Sequence, residues 1–191
     1  GVGSTVCDYT DVDEITPDDA TTICTLTTDV GGDLFDVNTE SSSNAGLNSY
    51  DTVTFVHVGV RDAATSAATE SWQLRIKSAS GGTASSSATV THNDSTYKTN
   101  GDINPLAPGN YPLTLYTDPT TGIAWTPTGT NSLDNMQIGI TSIDGNPDIK
   151  VSTLWALVEY VAGTPPAAAD PTFSRIKNAL FHIRSGYLRF H

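Results

Sequence analysis

Between residues 71 and 78 apolar and polar side chains alternate, with Trp72, Leu74 and Ile76 on one face and Gln73, Arg75 and Lys77 on the other. A period of two predicts a half-buried strand with the tryptophan turned inward. Residues 52–60 predict a second strand, with Val53, Phe55 and His57 on one face and Val56, Val58 and Val60 on the other. Apolar groups on both faces place that strand centrally in its sheet. Weaker patterns at 22–28, 33–37, 88–92, 111–117, 137–143 and 151–161 bring the set to about eight strands. Turn chemistry separates them, including Gly31-Gly32, a loop over 40–49, Gly81-Gly82, Asp118-Pro119-Thr120-Thr121-Gly122 and Asp144-Gly145-Asn146-Pro147. Ser132 is placed to cap a single helical turn through Met136. There is no internal repeat. Strands joined by loops too long for simple hairpins predict an all-β fold, a two-sheet antiparallel jelly-roll-like sandwich with a C-terminal arm.

The pattern changes after Val161. Residues 1–161 form the expected sandwich domain, 162–171 a Pro/Ala linker, and 172–191 a basic amphipathic arm. Phe173, Ile176, Leu180, Ile183 and Tyr187 recur at steps of three and four, which predicts a helix over 172–184. A hairpin turning at Ser185-Gly186 is the competing reading.

Composition reinforces the β assignment. The 191 residues include 29 Thr and 18 Ser but only 4 Lys and 4 Glu, so the side chains that fill exposed helix faces are scarce. The net charge of −12 argues against a nucleic-acid binder, which needs cationic surface. No apolar run is long enough for a membrane span. The start, Gly1-Val2-Gly3-Ser4-Thr5-Val6, lacks the basic and apolar regions of a signal peptide, so either none existed or it was already removed. Charge is divided along the chain. Residues 1–170 hold five basic and all 21 acidic side chains, a net −16, whereas 171–191 hold Arg175, Lys177, Arg184 and Arg189 and no acid, a net +4. An arm opposite in sign to its own body is suited to meeting another copy or another acidic protein. The expected assembly residues are Phe173, Arg175, Ile176, Lys177, Leu180, Ile183 and Arg184.

Patterns for chemistry are sparse. Asp8, Asp11, Asp13, Glu14, Asp18 and Asp19 crowd one segment without the glycine and twelfth-position glutamate of a calcium loop, so a solvated acidic loop is expected. Histidines 57, 92, 182 and 191 lack zinc-site spacing. His57 is expected as a hydrogen-bonded core histidine and His92 as a solvent-facing strand end. There is no nucleophile elbow, phosphate loop or dinucleotide fingerprint. The expectation is a non-enzyme without cofactor or metal. Cys7 and Cys24 either pair or remain as free buried thiols. The three tryptophans read first as core or interface filler; Trp125 is the one that reads as loop-borne, and it is the candidate glycan contact.

A resemblance is carried by Asp11-Val12-Asp13-Glu14 with Pro17-Asp18-Asp19, by Tyr111-Pro112-Leu113-Thr114, and above all by the run from Thr117-Asp118-Pro119 through Gly122-Ile123-Ala124-Trp125-Thr126. Gln137-Ile138-Gly139-Ile140 and Val158-Glu159-Tyr160 follow it. Over about 7–161 the chain resembles a β-sandwich module of tailed-bacteriophage virion structural proteins. The resemblance implies a virion component whose partners are copies of itself and other virion proteins, the major capsid protein among them. With no coiled coil or repeat array attached, a capsid decoration or cement-like role is expected. A tail-tip or fibre adhesin and a cell-surface filament subunit are the alternatives.

Overall fold

The computed structural model describes residues 12, 19, 23–26, 34–101, 111–143 and 148–165, together with the backbone of 176–181. Among these lie eleven strands: β1 (Cys24–Leu26), β2 (Leu34–Asn38), β3 (Thr52–Ala64), β4 (Glu70–Lys77), β5 (Ser85–Ser86), β6 (Val90–His92), β7 (Lys98–Asn100), β8 (Leu113–Leu115), β9 (Gln137–Ser142), β10 (Ile149–Val161) and β11 (Ile176–Phe181). All their pairings are antiparallel.

Sheet A is centred on the two thirteen-residue strands β10 and β3. The free side of β10 takes β1 at one end and β11 at the other, and the free side of β3 takes β7 and β8. Sheet B runs β2-β9-β4, with β5 and β6 sharing the far side of β4. Three positions are thus each filled by two short strands. Eleven strands occupy eight positions, four in each layer, as expected of the two-sheet sandwich.

The core lies between the layers. Val53, Val56, Val58 and Val60 of β3 and Leu154, Ala156, Val158 and Tyr160 of β10 join Trp72, Leu74 and Ile76 of β4, Ile138 and Ile140 of β9, and Phe35 and Val37 of β2. Each fully buried large side chain among them contributes about 1.5–3 kcal/mol. The alternation of β4 is borne out: Trp72, Leu74 and Ile76 are all fully buried.

β3 departs from expectation in two ways. It continues past Val60 to Ala64, and Val53 belongs to the core, not to the face of Phe55 and His57. Phe55 pairs with Glu159 but Val53 with Tyr160, so Thr54 is an extra residue that switches the facing of everything before it. The Thr54 hydroxyl donates to the Glu159 carbonyl at 3.0 Å. A second irregularity lies at Ser152 of β10, between Val151 opposite Asp62 and Thr153 opposite Arg61.

The expected helical turn is a 3₁₀ turn at Leu133–Asn135. Ser132 occupies its N-cap position without capping, its hydroxyl donating instead to the Gly129 carbonyl at 2.8 Å.

The expected helix over 172–184 is not formed in its described part. Residues 176–181 are a strand on the edge of sheet A, with Val161 opposite Ile176 and Ala156 opposite Phe181. A lone helix of thirteen residues is marginal in water, whereas the edge of β10 offers main-chain partners to an extended segment. The competing hairpin is not what places this strand either, because its partner is β10. The rest of the arm lies outside the described residues.

Candidate functional site

Two places carry the information about function: the edge of sheet A that receives β11, and a buried polar cluster between the sheets.

At the edge, Val161 ends β10 and the chain is fastened as it leaves. The Gly163 N–H donates to Asp51 Oδ1 at 2.8 Å, while Asp51 Oδ2 accepts from the Asn48 N–H at 2.8 Å. Gly163 passes so near the main chain of Tyr50 that a Cβ would lie 1.9 Å from its carbonyl oxygen, and only glycine fits there. The exit point is therefore fixed. Of the expected assembly residues, Ile176, Lys177 and Leu180 lie in β11, opposite Val161, Tyr160 and Leu157. Phe173, Arg175, Ile183 and Arg184 lie outside the described residues.

The outward face of sheet A beside this edge is apolar. Trp155 and Leu157 point away from the sandwich interior, yet are 2% and 0% exposed. Gly59, opposite Trp155, makes room for the indole; a Cβ there would lie 2.4 Å from the ring. His57 is half-buried on this outward face and not in the core. Its Nδ1 is 2.7 Å from the Thr114 hydroxyl, its ring stacks on Tyr111 with centroids 4.5 Å apart, and burial lowers its pKa. Phe55 and the exposed Tyr116 continue the aromatic row, with ring centroids 5.7 Å apart.

The second place was missed from sequence. Asp62, Glu70 and His92 are buried, at 0%, 0% and 4% exposure. Asp62 Oδ1 accepts from Asn100 Nδ2 at 2.9 Å, and Asp62 Oδ2 lies 3.2 Å from His92 Nδ1. Asp62 and Asn100 belong to sheet A and His92 to sheet B, so the cluster ties the layers together. Burial pushes the Asp62 carboxyl up to about 7, against the opposing pull of the Asn100 amide, the Trp72 indole and the charges of Lys98 and Arg61. His92 is lowered, mainly by burial. The expected solvent-facing His92 is thus corrected. A signal for the cluster was available: Asp62 continues the parity of Val56, Val58 and Val60, and Glu70 that of Trp72, Leu74 and Ile76. Closed off from solvent, this cluster couples the protonation of Asp62 and His92 to the stability of the fold.

Asp19, the described member of the acidic segment, serves an arginine. Its Oδ1 accepts from Arg61 Nε at 2.8 Å and from the Ser152 hydroxyl at 2.9 Å, and its Oδ2 meets Arg61 Nη2. Arg61 also donates to the Thr99 hydroxyl at 3.0 Å and lies over the Tyr97 ring. Asp8, Asp11, Asp13, Glu14 and Asp18 lie outside the described residues. Among the described residues no group of three or more His, Cys, Asp or Glu side chains could hold a metal ion, and no helix is long and apolar enough to cross a membrane.

Trp125 is the other correction. It is 2% exposed and part of the core, so it offers no open ring face to a sugar. The turn before it is internally tied: Asp118, 1% exposed, accepts from the Ser78 hydroxyl at 2.6 Å, the Thr120 N–H at 2.7 Å and the Thr121 hydroxyl at 2.9 Å. Gly122 supplies the φ of 73° that closes the turn. Cys24 is disulfide-bonded, and the chain's other cysteine, Cys7, lies outside the described residues.

No protein-family model, curated protein or solved structure matches this chain, so a functional reading has to stand on its own residues.

Proposed function

We propose that the chain is a non-enzymatic structural protein of a tailed-bacteriophage virion, a decoration or cement-like component of the head that associates with copies of itself and with the major capsid protein. Self-association rests on one observation: the basic C-terminal segment completes an edge of the acidic sandwich as a strand. Edge pairing is made by main-chain hydrogen bonds, so the same edge can accept a strand from another molecule as well as from its own chain. The virion assignment rests on the sequence resemblance, whose longest segment forms the tied turn around Asp118 and buries Trp125. The disulfide at Cys24 is in keeping with a surface that works outside the reducing cytoplasm. The buried Trp125 gives no support to the glycan-binding alternative.

The test combines imaging and sedimentation. An antibody to the sandwich should decorate the shell of the native particle; label confined to tail tips or to host filaments refutes the virion-head reading. The full chain should show association that strengthens with concentration, and removal of residues 164–191 should abolish it.

A further inference from the structure

The connection between β10 and β11 is far longer than its closure requires. Val161 and Ile176 face one another in register, so the two strand ends lie one strand spacing apart, about 5 Å. Hairpins bridge that gap with two to five residues. Here the chain is fastened at Gly163 and then runs through residues 164–175, with Pro165, Pro166 and Pro171 and three consecutive alanines among them. Twelve residues reach about 40 Å when extended. A chain of this length has a radius of gyration of about 16 Å, hence a diameter of about 40 Å. The strand can therefore cross to a neighbouring molecule while its own exit point stays pinned at Asp51.

We propose that β11 is an exchangeable strand. Residues 176–181 of one copy take the place of the same residues of a second copy on Ala156–Val161, in the same antiparallel register. This rests on the reading of the protein as self-associating, and it names the partner surface and the moving part. The ladder broken in one molecule is remade identically in the other, so the contacts cancel and concentration decides. A tether of this length holds its own strand at an effective concentration of about millimolar. Dilute protein is therefore closed on itself, as in the structure. Copies crowded on a shell, where local concentration reaches that range, exchange. The opposite charges of arm and body favour an acidic body as acceptor in both states.

Glu159 and Asn178 are directly opposed in the register, so a cysteine at each reports the pairing. The experiment mixes equal amounts of the single variants Glu159→Cys and Asn178→Cys, incubates them from about 10 µM to about 2 mM, oxidises, and counts covalent heterodimer on a non-reducing gel. The double variant in one chain verifies the register and the folding of both substitutions. Heterodimer should be scarce at 10 µM and rise at least tenfold toward 2 mM, while the dilute double variant closes within its own chain. No heterodimer at any concentration, with the double variant closing normally, overturns exchange. Failure of the double variant to close overturns the register and the proposal with it. Sedimentation of the unmodified chain separates the two ideas: association without heterodimer leaves self-association standing on another face, and neither signal removes both.

Discussion

On the outward face of sheet B, Arg75 and Lys77 of β4 reach Asp36 of β2 at 3.3 and 2.5 Å and keep some contact with water. On the outward face of sheet A, Trp155 and Leu157 of β10 are shut away almost completely. Each arrangement depends on a glycine in the adjoining strand. Gly139 stands between Asp36 and Arg75 in the register, and a Cβ there would come within 2.3 Å of Asp36 Oδ1. Gly59 yields the same space to the Trp155 indole. One sheet uses the missing side chain to assemble an ion cluster across three strands, the other to lay an aromatic ring flat. Sheet B is an ordinary one-sided sheet, and sheet A is sealed on both faces where β10 carries its edge strand.

The sharpest way to break this contrast is to cut the same kind of outward position in each sheet. Trp155→Ala should cost about 3–5 kcal/mol, since a large buried ring leaves a cavity, and lower Tm by roughly 2–4 °C for each kcal/mol. Gln73→Ala, outward on β4, should stay within about 0.5 kcal/mol of the parent. Urea unfolding of the two variants decides it: a Trp155→Ala loss under about 1 kcal/mol means that the outward face of sheet A is not sealed.

The next effect depends on pH and probes the cluster joining the sheets. The folded-state value of Asp62, about 7, lies above its ordinary 3.8. Its contribution is therefore fully present below about pH 4 and is lost as pH rises through 7. His92 acts in the opposite sense, its lowered value costing stability as the pH falls below the usual imidazole range. Asp62→Asn removes the first of these while keeping an acceptor for Asn100 and adding a donor toward neutral His92. Relative to this variant the parent should lose about 1–3 kcal/mol between pH 5 and pH 8, read from urea midpoints at the two values. A difference independent of pH would show that Asp62 does not titrate in that window.

The smallest effect belongs to the wet face. Asp36→Asn should cost about 1 kcal/mol, less in high salt, because the ion cluster remains partly solvated. A loss of several kcal/mol, unmoved by salt, would make the outward face of sheet B as closed as that of sheet A.

The same contrast explains what could be read from sequence. β4 was legible because one face is dry and the other polar, so its period of two survives in the residue order. β3 was legible as a central strand, but the switch at Thr54 leaves no mark in composition, and Val53 was assigned to the wrong face. Ser85–Ser86 and Lys98–Asn100 hold no apolar pattern and are strands only because β4 and β3 offer main-chain partners. In the arm, Ile176, Leu180 and their neighbours fit a helical stripe, yet Ile176, Asn178 and Leu180 also share one face of a strand. Local pattern could not decide between them; an open edge on β10, a tertiary fact, did. The buried cluster is less visible because the acids at positions 62 and 70, although they continue inward-facing runs, lie just outside the predicted strands at 52–60 and 71–78.

The pairing of β3 with β10 also sets a timetable. Its nearest partners, Ala64 and Ile149, are 85 residues apart in sequence. Closing a loop of that length costs about 4 kcal/mol of chain entropy before the first contact is gained, and folds dominated by such distant pairings form slowly. At ordinary synthesis rates of about 5–20 residues per second, β3 leaves the ribosome roughly 4–17 s before the partner that will cover it. For that interval a strand with apolar side chains on both faces is without its longest ladder, although β7 and β8 can pair along its other side and β4 can shield one face. Yield of folded protein should therefore depend on temperature and chaperone supply during synthesis more steeply than the stability of the finished sandwich would indicate.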